Sequence, residues 1–216
     1  MSNARSDTPQ SADPIDPIAE LTIAASERAA SQALRAGARA PLFTLSTFDA
    51  KQIALEDVLE DGPVILQFRR GSWCTYGQDG ANELALAHRD VLALGASVLA
   101  IEPPCKFSPT NDTSSIPVLL DVDMRASRAY GLAFELPVSL RERYTRLGYV
   151  PPRDGKPETW LVPLPATYLL DRDGVIVLSF IDVDYRNHCG GEQILDALKA
   201  LNTRRPTQPH GRHAAP

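Results

Sequence analysis

The residue of this chain best suited to covalent chemistry is Cys74, which lies in the segment RGSWCTYG, residues 70–77. Residues 63–68 (PVILQF) are apolar and typical of a buried strand, and a helical pattern follows Cys74 and runs to Gly95. At such a junction, unpaired backbone N–H groups and the positive end of the helix dipole favour a thiolate, as does Arg70 four residues upstream. Cys74 is therefore a candidate nucleophile, and Arg70 is its candidate catalytic partner.

The other two cysteines are candidates for reducing an oxidised Cys74. Cys105 follows the predicted strand 97–101, and in a parallel sheet it would reach the same carboxyl edge as Cys74. Cys189 precedes the last predicted helix, and a bridge to Cys74 would require Cα atoms within about 7 Å. We expect Cys189 to be a structural thiol, and the sequence leaves open a Cys74–Cys105 bridge or reduction by an external thiol.

Histidines are poorly placed in sequence to act as a base for Cys74. His88 lies 14 residues further along the same predicted helix, about 21 Å away at 1.5 Å per residue, and we expect it on the helix surface. His188 adjoins Cys189, and its distance from Cys74 does not follow from the sequence. Metal and nucleotide motifs such as HExxH and GxGxxG do not occur in the chain, so we expect neither a metal nor a cofactor.

Composition restricts the classes of partner and the compartment. The chain of 216 residues is 44% hydrophobic and has a net charge of −5, which argues against nucleic acid as the main partner. Three widely spaced cysteines fit a reducing compartment better than a disulfide framework. The first residues lack the apolar core of a signal peptide, and no stretch approaches the roughly 20 apolar residues of a membrane span. We therefore expect a cytoplasmic protein that binds neither membrane nor nucleic acid.

The elements that must position Cys74 alternate in the manner of βαβ units. A helix over 74–94 between strands 63–68 and 97–101 predicts two parallel, neighbouring strands. Beyond them the pattern predicts a strand at 116–121, a short helix at 124–130 and an insertion at 131–160 that contains a helical stretch at 139–147. A hairpin around the turn DRDG follows at 166–181, and a last helix follows at 192–201. This order predicts an α/β fold, a thioredoxin-like three-layer α/β/α sandwich with a mixed central sheet.

Additions lie at both ends of this predicted body. Residues 1–15 and 203–216 contain too little apolar surface to offset the entropic cost of ordering, and we expect disordered tails there. Between the first tail and the body, alanines and leucines spaced by four predict a helix over 16–37 that ends at a Gly37 C-cap. The body itself is then expected to occupy residues 38–202.

Four segments together resemble a known family. These are APLFTL, GPVILQFRRGSWC, VPLPATYLLDRDG and DVDY, which begin at residues 40, 62, 162 and 182. Their order resembles the peroxiredoxin-like branch of the AhpC/TSA family over residues 38–202. Members of that branch typically carry the motif RGxWCPYC. In this chain Thr75 replaces the proline of the motif, and Gly77 replaces its second cysteine. A dithiol cycle within this loop is therefore excluded.

The resemblance implies a thiol-dependent peroxidase, an antioxidant oxidoreductase that reduces hydrogen peroxide or organic hydroperoxides through a sulfenic acid at Cys74. It implies an external thiol reductant, such as thioredoxin, glutaredoxin or glutathione, and a homodimer is compatible with it. Substrate-positioning residues would be Trp73, Thr75, Tyr76 and Pro165, the last as the cis-proline typical of thioredoxin-like folds. Two alternatives remain open, a monothiol disulfide oxidoreductase and a redox-inactive binding module with the same fold.

Overall fold

The computed structural model describes residues 29–71, 74, 77–106, 115–152, 159–184 and 187–204. The tail predicted over 1–15, most of the helix predicted over 16–37, and the loop residues Trp73, Thr75 and Tyr76 lie outside the described residues. In chain order, the described elements are α1 (Ala29–Gln32), β1 (Thr44–Thr47), β2 (Gln52–Ala54), α2 (Leu55–Asp61), β3 (Val64–Phe68), α3 (Gly77–Ala93), β4 (Ser97–Glu102), β5 (Val118–Leu120), α4 (Arg125–Ala129), β6 (Ala133–Glu135), α5 (Val138–Arg146), β7 (Leu161–Pro163), β8 (Ala166–Leu170), β9 (Ile176–Ile181) and α6 (Gly191–Arg204).

Seven of these strands form one mixed sheet in the order β2-β1-β5-β4-β3-β8-β9. Strands β3, β4 and β5 run parallel, and the remaining pairs are antiparallel. The predicted crossover through α3 is confirmed, because β3 and β4 are parallel neighbours with Val64 opposite Ser97. Strands β6 and β7 form a separate two-stranded sheet.

The central sheet separates two apolar cores. In β3, Leu66 and Phe68 belong to the first core, whereas Ile65 belongs to the second, because successive residues of a strand point to opposite faces. Helices α2, α4 and α5 pack into the first core, and α3 and α6 pack into the second. The predicted three-layer α/β/α arrangement with a mixed sheet is confirmed.

Glycines end two of the elements as their positions in the sequence predict. Gly95 has φ +76° after α3, and the N–H of Ala96 bonds the carbonyl of Val91 at 3.2 Å, which closes the helix end. In the β8–β9 turn Gly174 has φ +73°, and the carboxylate of Asp171 accepts the N–H of Val175 at 2.8 Å. Gly95 thus lies between α3 and β4, and Gly174 lies in the turn that joins β8 to β9.

Helix boundaries at both ends of the domain differ from the prediction. Helix α1 ends at Gln32, well before Gly37, because the N–H groups of Leu34 and Gly37 bond the carbonyls of Tyr130 and Ile176 instead of continuing the helix. At the other end, α6 extends to Arg204, into the segment predicted as a tail. Hydrogen bonds to residues distant in sequence end α1, whereas α6 simply continues beyond its predicted end at residue 201.

The segment 131–160, predicted as an insertion, contains β6 and α5 within its described part. The predicted helical stretch 139–147 corresponds to Val138–Arg146, and its buried residue is Tyr144. No described helix is both long and apolar enough to cross a membrane.

We predict that Gly131→Ala destabilises the fold much more than Gly37→Ala. Both glycines have positive φ, +69° and +93°, so both variants carry backbone strain of about 1 kcal/mol. A Cβ at Gly131 would also overlap the backbone of Gln32 and Ala33, whereas the space around a Cβ at Gly37 is open. Urea unfolding should show a loss at Gly131 larger by about 2 kcal/mol. Equal losses for the two variants would contradict this packing of α1.

Candidate functional site

Cys74 lies in the turn between β3 and α3, at the carboxyl end of β3. It is 1% exposed and belongs to the first core, the same core as Phe68. Its N–H donates to the carbonyl oxygen of Gly71 at 3.1 Å, and Gly71 has φ +100°. The described part of α3 is Gly77–Ala93, and Cys74 itself lies outside the helix instead of starting it as predicted over 74–94. The thiol is therefore held in a tight turn against the interior.

Arg70 is buried at the start of this turn, with 2% of its surface exposed. One terminal nitrogen donates to the hydroxyl oxygen of Tyr144 at 2.6 Å, and the guanidinium carbon lies 5.8 Å from the centroid of the same ring. Burying a guanidinium is costly unless it is hydrogen-bonded, and a nearby aromatic face adds favourable attraction. Tyr144 therefore fixes a permanent positive charge in the segment that carries Cys74.

An aromatic column holds Tyr144 in place. Its ring packs edge-on to Tyr149 at 6.1 Å, Tyr149 stacks on Trp160 at 5.6 Å, and Arg141 lies over Trp160 at 5.2 Å. The hydroxyl of Tyr149 donates to the carbonyl of Leu161 at 2.6 Å, and burial raises the pKa of this phenol. The segment predicted as an insertion thus supplies the residue that orients Arg70.

Cys105 is brought to the same side of the sheet as Cys74. It is half-buried against the first core, and its backbone forms an isolated bridge with Tyr149. The next residue, Lys106, donates its N–H to the carbonyl of Gly148 at 2.8 Å. Both cysteines therefore adjoin the core that contains the aromatic column.

Cys189 lies in the other core. It is 4% exposed, packs in the second core, and its thiol donates to Oε1 of Gln193 at 3.5 Å. Burial, with a smaller contribution from the negative charge of Glu83, raises the pKa of Cys189 from 9.0 to about 11. This environment is typical of a structural thiol, and it separates Cys189 from the core of Cys74.

The histidines have partners of their own. His88 is buried at 9% exposure, and Nδ1 lies 2.9 Å from the hydroxyl of Ser115, so the expectation of a helix-surface residue is wrong. The reason is that Ser115, which precedes β5, lies against this part of α3. His188 pairs through Nε2 with Glu83 at 3.1 Å. Among the described residues, no group of three or more His, Cys, Asp or Glu side chains is placed to hold a metal ion.

Pro165 differs from its predicted geometry. The Leu164–Pro165 peptide is trans, so the expectation of a cis-proline is wrong. The N–H of Leu164 donates to the carbonyl of Leu132 at 2.8 Å, and this bond guides the trans chain from β7 directly into β8. Pro165 lines a cleft together with Arg70, Gln67 and Thr167, and Cys74 is not among the described residues that line it.

The fold and the site define a thioredoxin-fold protein with a cysteine after strand β3. Residues 36–179, well over half of the chain, match the model of the AhpC/TSA family. The chain belongs to the AhpC/TSA family.

Solved structures agree with the fold. A peroxidoxin, BcpB from Mycobacterium tuberculosis, is similar with a TM-score of 0.57 and 16% identity, over 78% of this chain and 98% of that one. Thioredoxin peroxidase I from Plasmodium yoelii is similar with a TM-score of 0.57 and 17% identity, over 78% of this chain and 91% of that one. No curated protein matches the chain in sequence.

We predict that Tyr144→Phe destabilises the protein more than Tyr149→Phe. The first change removes an acceptor of a buried, charged donor, which costs about 1.5–3 kcal/mol, whereas the second removes a neutral hydrogen bond worth about 1 kcal/mol. Urea unfolding of the two variants measures the difference. A loss for Tyr144→Phe no greater than for Tyr149→Phe would show that the hydroxyl does not hold Arg70.

The environment of Cys189 predicts slow alkylation. Raising its pKa from 9.0 to about 11 lowers the thiolate fraction at pH 8 about 100-fold. Iodoacetamide should therefore modify Cys189 at least 100-fold more slowly in the native protein than in urea, as measured by peptide mass spectrometry. Similar rates in the two states would contradict the burial of this thiol.

Proposed function

We propose that the chain is a thiol-dependent peroxidase that reduces hydrogen peroxide or organic hydroperoxides with Cys74 as nucleophile. The observation that carries the proposal is the turn after β3, where a buried cysteine follows a buried arginine in a chain of the AhpC/TSA family. Two similar structures bear the names of a peroxidoxin and a thioredoxin peroxidase, which supports the same class of reaction.

In the first step, the Cys74 thiolate attacks one oxygen of the hydroperoxide. The S–O bond forms as the O–O bond breaks, and the leaving hydroxide or alkoxide takes a proton to become water or an alcohol. Sulfur is oxidised to sulfenic acid and the peroxide is reduced. The step needs a thiolate and a positive group near the departing oxygen.

Arg70 is proposed to meet both needs. Its guanidinium stays protonated at all relevant pH values and presents several donors in a fixed plane, so it can stabilise a thiolate and an oxyanion at once. The bond to Tyr144 holds that plane without neutralising the charge. Backbone N–H groups around Thr75 and Tyr76, with Trp73 closing the loop, are proposed as further positioning groups, and Pro165 is proposed to contribute from the start of β8.

In the second step, a thiol attacks the Cys74 sulfenic acid, forms a disulfide and releases water. A second thiol then attacks this disulfide and returns Cys74 to the reduced state. The first thiol is proposed to be either an external reductant of the thioredoxin, glutaredoxin or glutathione kind, or Cys105. Cys105 is favoured over Cys189 because it packs against the core that contains Cys74, whereas Cys189 packs in the other.

The expected result for Cys74→Ser is complete loss of thiol-dependent peroxide consumption, because a hydroxyl cannot form a sulfenic acid. Arg70→Lys should lower the rate about 10-fold or more, since a lysine keeps the charge but not the planar array of donors. The matched control is Cys189→Ser, which removes a cysteine from the second core and should leave the rate unchanged. Peroxide consumption with dithiothreitol as reductant measures all three.

Two outcomes would contradict the proposal. Peroxide turnover that survives in Cys74→Ser would assign the chemistry to another residue. Reduction of a model disulfide by the wild type without peroxide turnover would favour the monothiol oxidoreductase instead.

A further inference from the structure

Helix α5 packs onto the first core through Tyr144, which is its buried residue. The hydroxyl oxygen of this side chain accepts a hydrogen bond from a terminal nitrogen of Arg70 at 2.6 Å, across 74 positions of the sequence. The side chain that docks α5 on the domain is therefore also the one that contacts the buried guanidinium.

The backbone on either side of Tyr144 is held by bonds of its own segment. Before the helix, Nε of Arg141 donates to the carbonyl of Leu136 at 3.2 Å, and a terminal nitrogen pairs with Glu135 at 3.1 Å. After the helix, the N–H of Tyr149 donates to the carbonyl of Tyr144 at 3.0 Å. The Tyr144 ring is thus a fixed point against which a longer side chain can be held.

Arg70 is a side chain that needs such a point. An arginine carries about 2 kcal/mol of rotamer entropy, and a hydrogen bond from a charged donor contributes about 1.5–3 kcal/mol. One such bond is therefore enough to select a single position of the guanidinium. Position matters for a reaction, because a displacement of about 1 Å in a catalytic group can lower a rate about 100-fold.

We propose that Tyr144 is a positioning residue of the peroxide reaction, whose hydroxyl holds Arg70 where the guanidinium stabilises the Cys74 thiolate and the departing oxygen. This inference rests on the proposed peroxidase function and deepens it, since part of the reaction rate then depends on a helix outside the segment RGSWCTYG. Tyr144 acts through Arg70, and no bond to the peroxide belongs to it.

The first test is Tyr144→Phe, which keeps the ring and removes the hydroxyl. The rate constant for oxidation of Cys74 by hydrogen peroxide should fall about 10-fold, because the guanidinium loses its fixed position. Dimedone trapping on the Cys74 peptide in a single turnover measures this rate. The matched control is Tyr130→Phe, which removes another buried hydroxyl of the first core, bonded to the carbonyl of Pro41 at 3.2 Å, and should react as the wild type does.

A double-mutant cycle with Arg70→Gln separates positioning from a structural role. Without the guanidinium the Tyr144 hydroxyl has nothing to hold, so adding Tyr144→Phe to Arg70→Gln should change the peroxide rate less than about 2-fold. A merely structural tyrosine would slow the reaction by the same factor in both backgrounds, and that result would overturn the proposal.

Alkylation of Cys74 by iodoacetamide tests the positioning without any peroxide. A displaced positive charge favours the thiolate less, so Tyr144→Phe should move the pH profile of Cys74 alkylation to higher pH, whereas Tyr130→Phe should not. This shift in a chain whose wild type does not react with peroxide would contradict the peroxidase function while supporting the hold of Tyr144 on Arg70.

Tyr144→Met is the second variant, because methionine is flexible, apolar and able to fill an irregular space. It should slow the peroxide reaction as Tyr144→Phe does, so a folding defect in one variant would not leave the question open. Circular dichroism and thermal unfolding establish that each variant is folded. An unchanged peroxide rate in the folded variants, or equal slowing by Tyr130→Phe, would overturn the proposal.

Discussion

The organisation of this protein depends on strand β3, which is buried on both faces inside the sheet, between β4 and β8. Each successive side chain of such a strand must enter one core or the other, and a shift by one residue would exchange the two sets. Leu66 and Phe68 thereby enter the first core, while Gln67 is directed toward the cleft. The register of β3 thus decides which of its side chains face each core.

The burial of Arg70 is the second constraint, and it follows from the first. Once β3 ends at Phe68, its continuation lies under α5, so the guanidinium is removed from water and must be held by protein groups. Tyr144 provides an oxygen and an aromatic face, and the column through Tyr149 and Trp160 fixes that ring. This buried charge lies four residues before the buried Cys74 in a chain of the AhpC/TSA family, and we propose that it serves the reaction of that cysteine.

Local patterns were enough to predict most elements around Cys74, because apolar runs and turn glycines determine them within a few residues. The parallel pair β3–β4 and the Asp171–Gly174 hairpin are of this kind. Tyr144 was missed, since its contact with Arg70 joins residues 74 positions apart, and its only local signal is one aromatic residue in a charged helix. The predicted end of the first helix at Gly37 and the predicted surface position of His88 are wrong for the same reason, because partners distant in sequence decide both.

The central claim is that the sulfur of Cys74 is the nucleophile that reduces the peroxide. The most direct measurement is peptide mass spectrometry of the reduced protein after one equivalent of hydrogen peroxide, with dimedone present to trap sulfenic acid. If Cys74 is the nucleophile, its dimedone adduct, or a disulfide that includes Cys74, accounts for the oxidised protein, while Cys189 stays reduced. Oxidation that spares Cys74 and appears at Cys105 or Cys189 alone would contradict it.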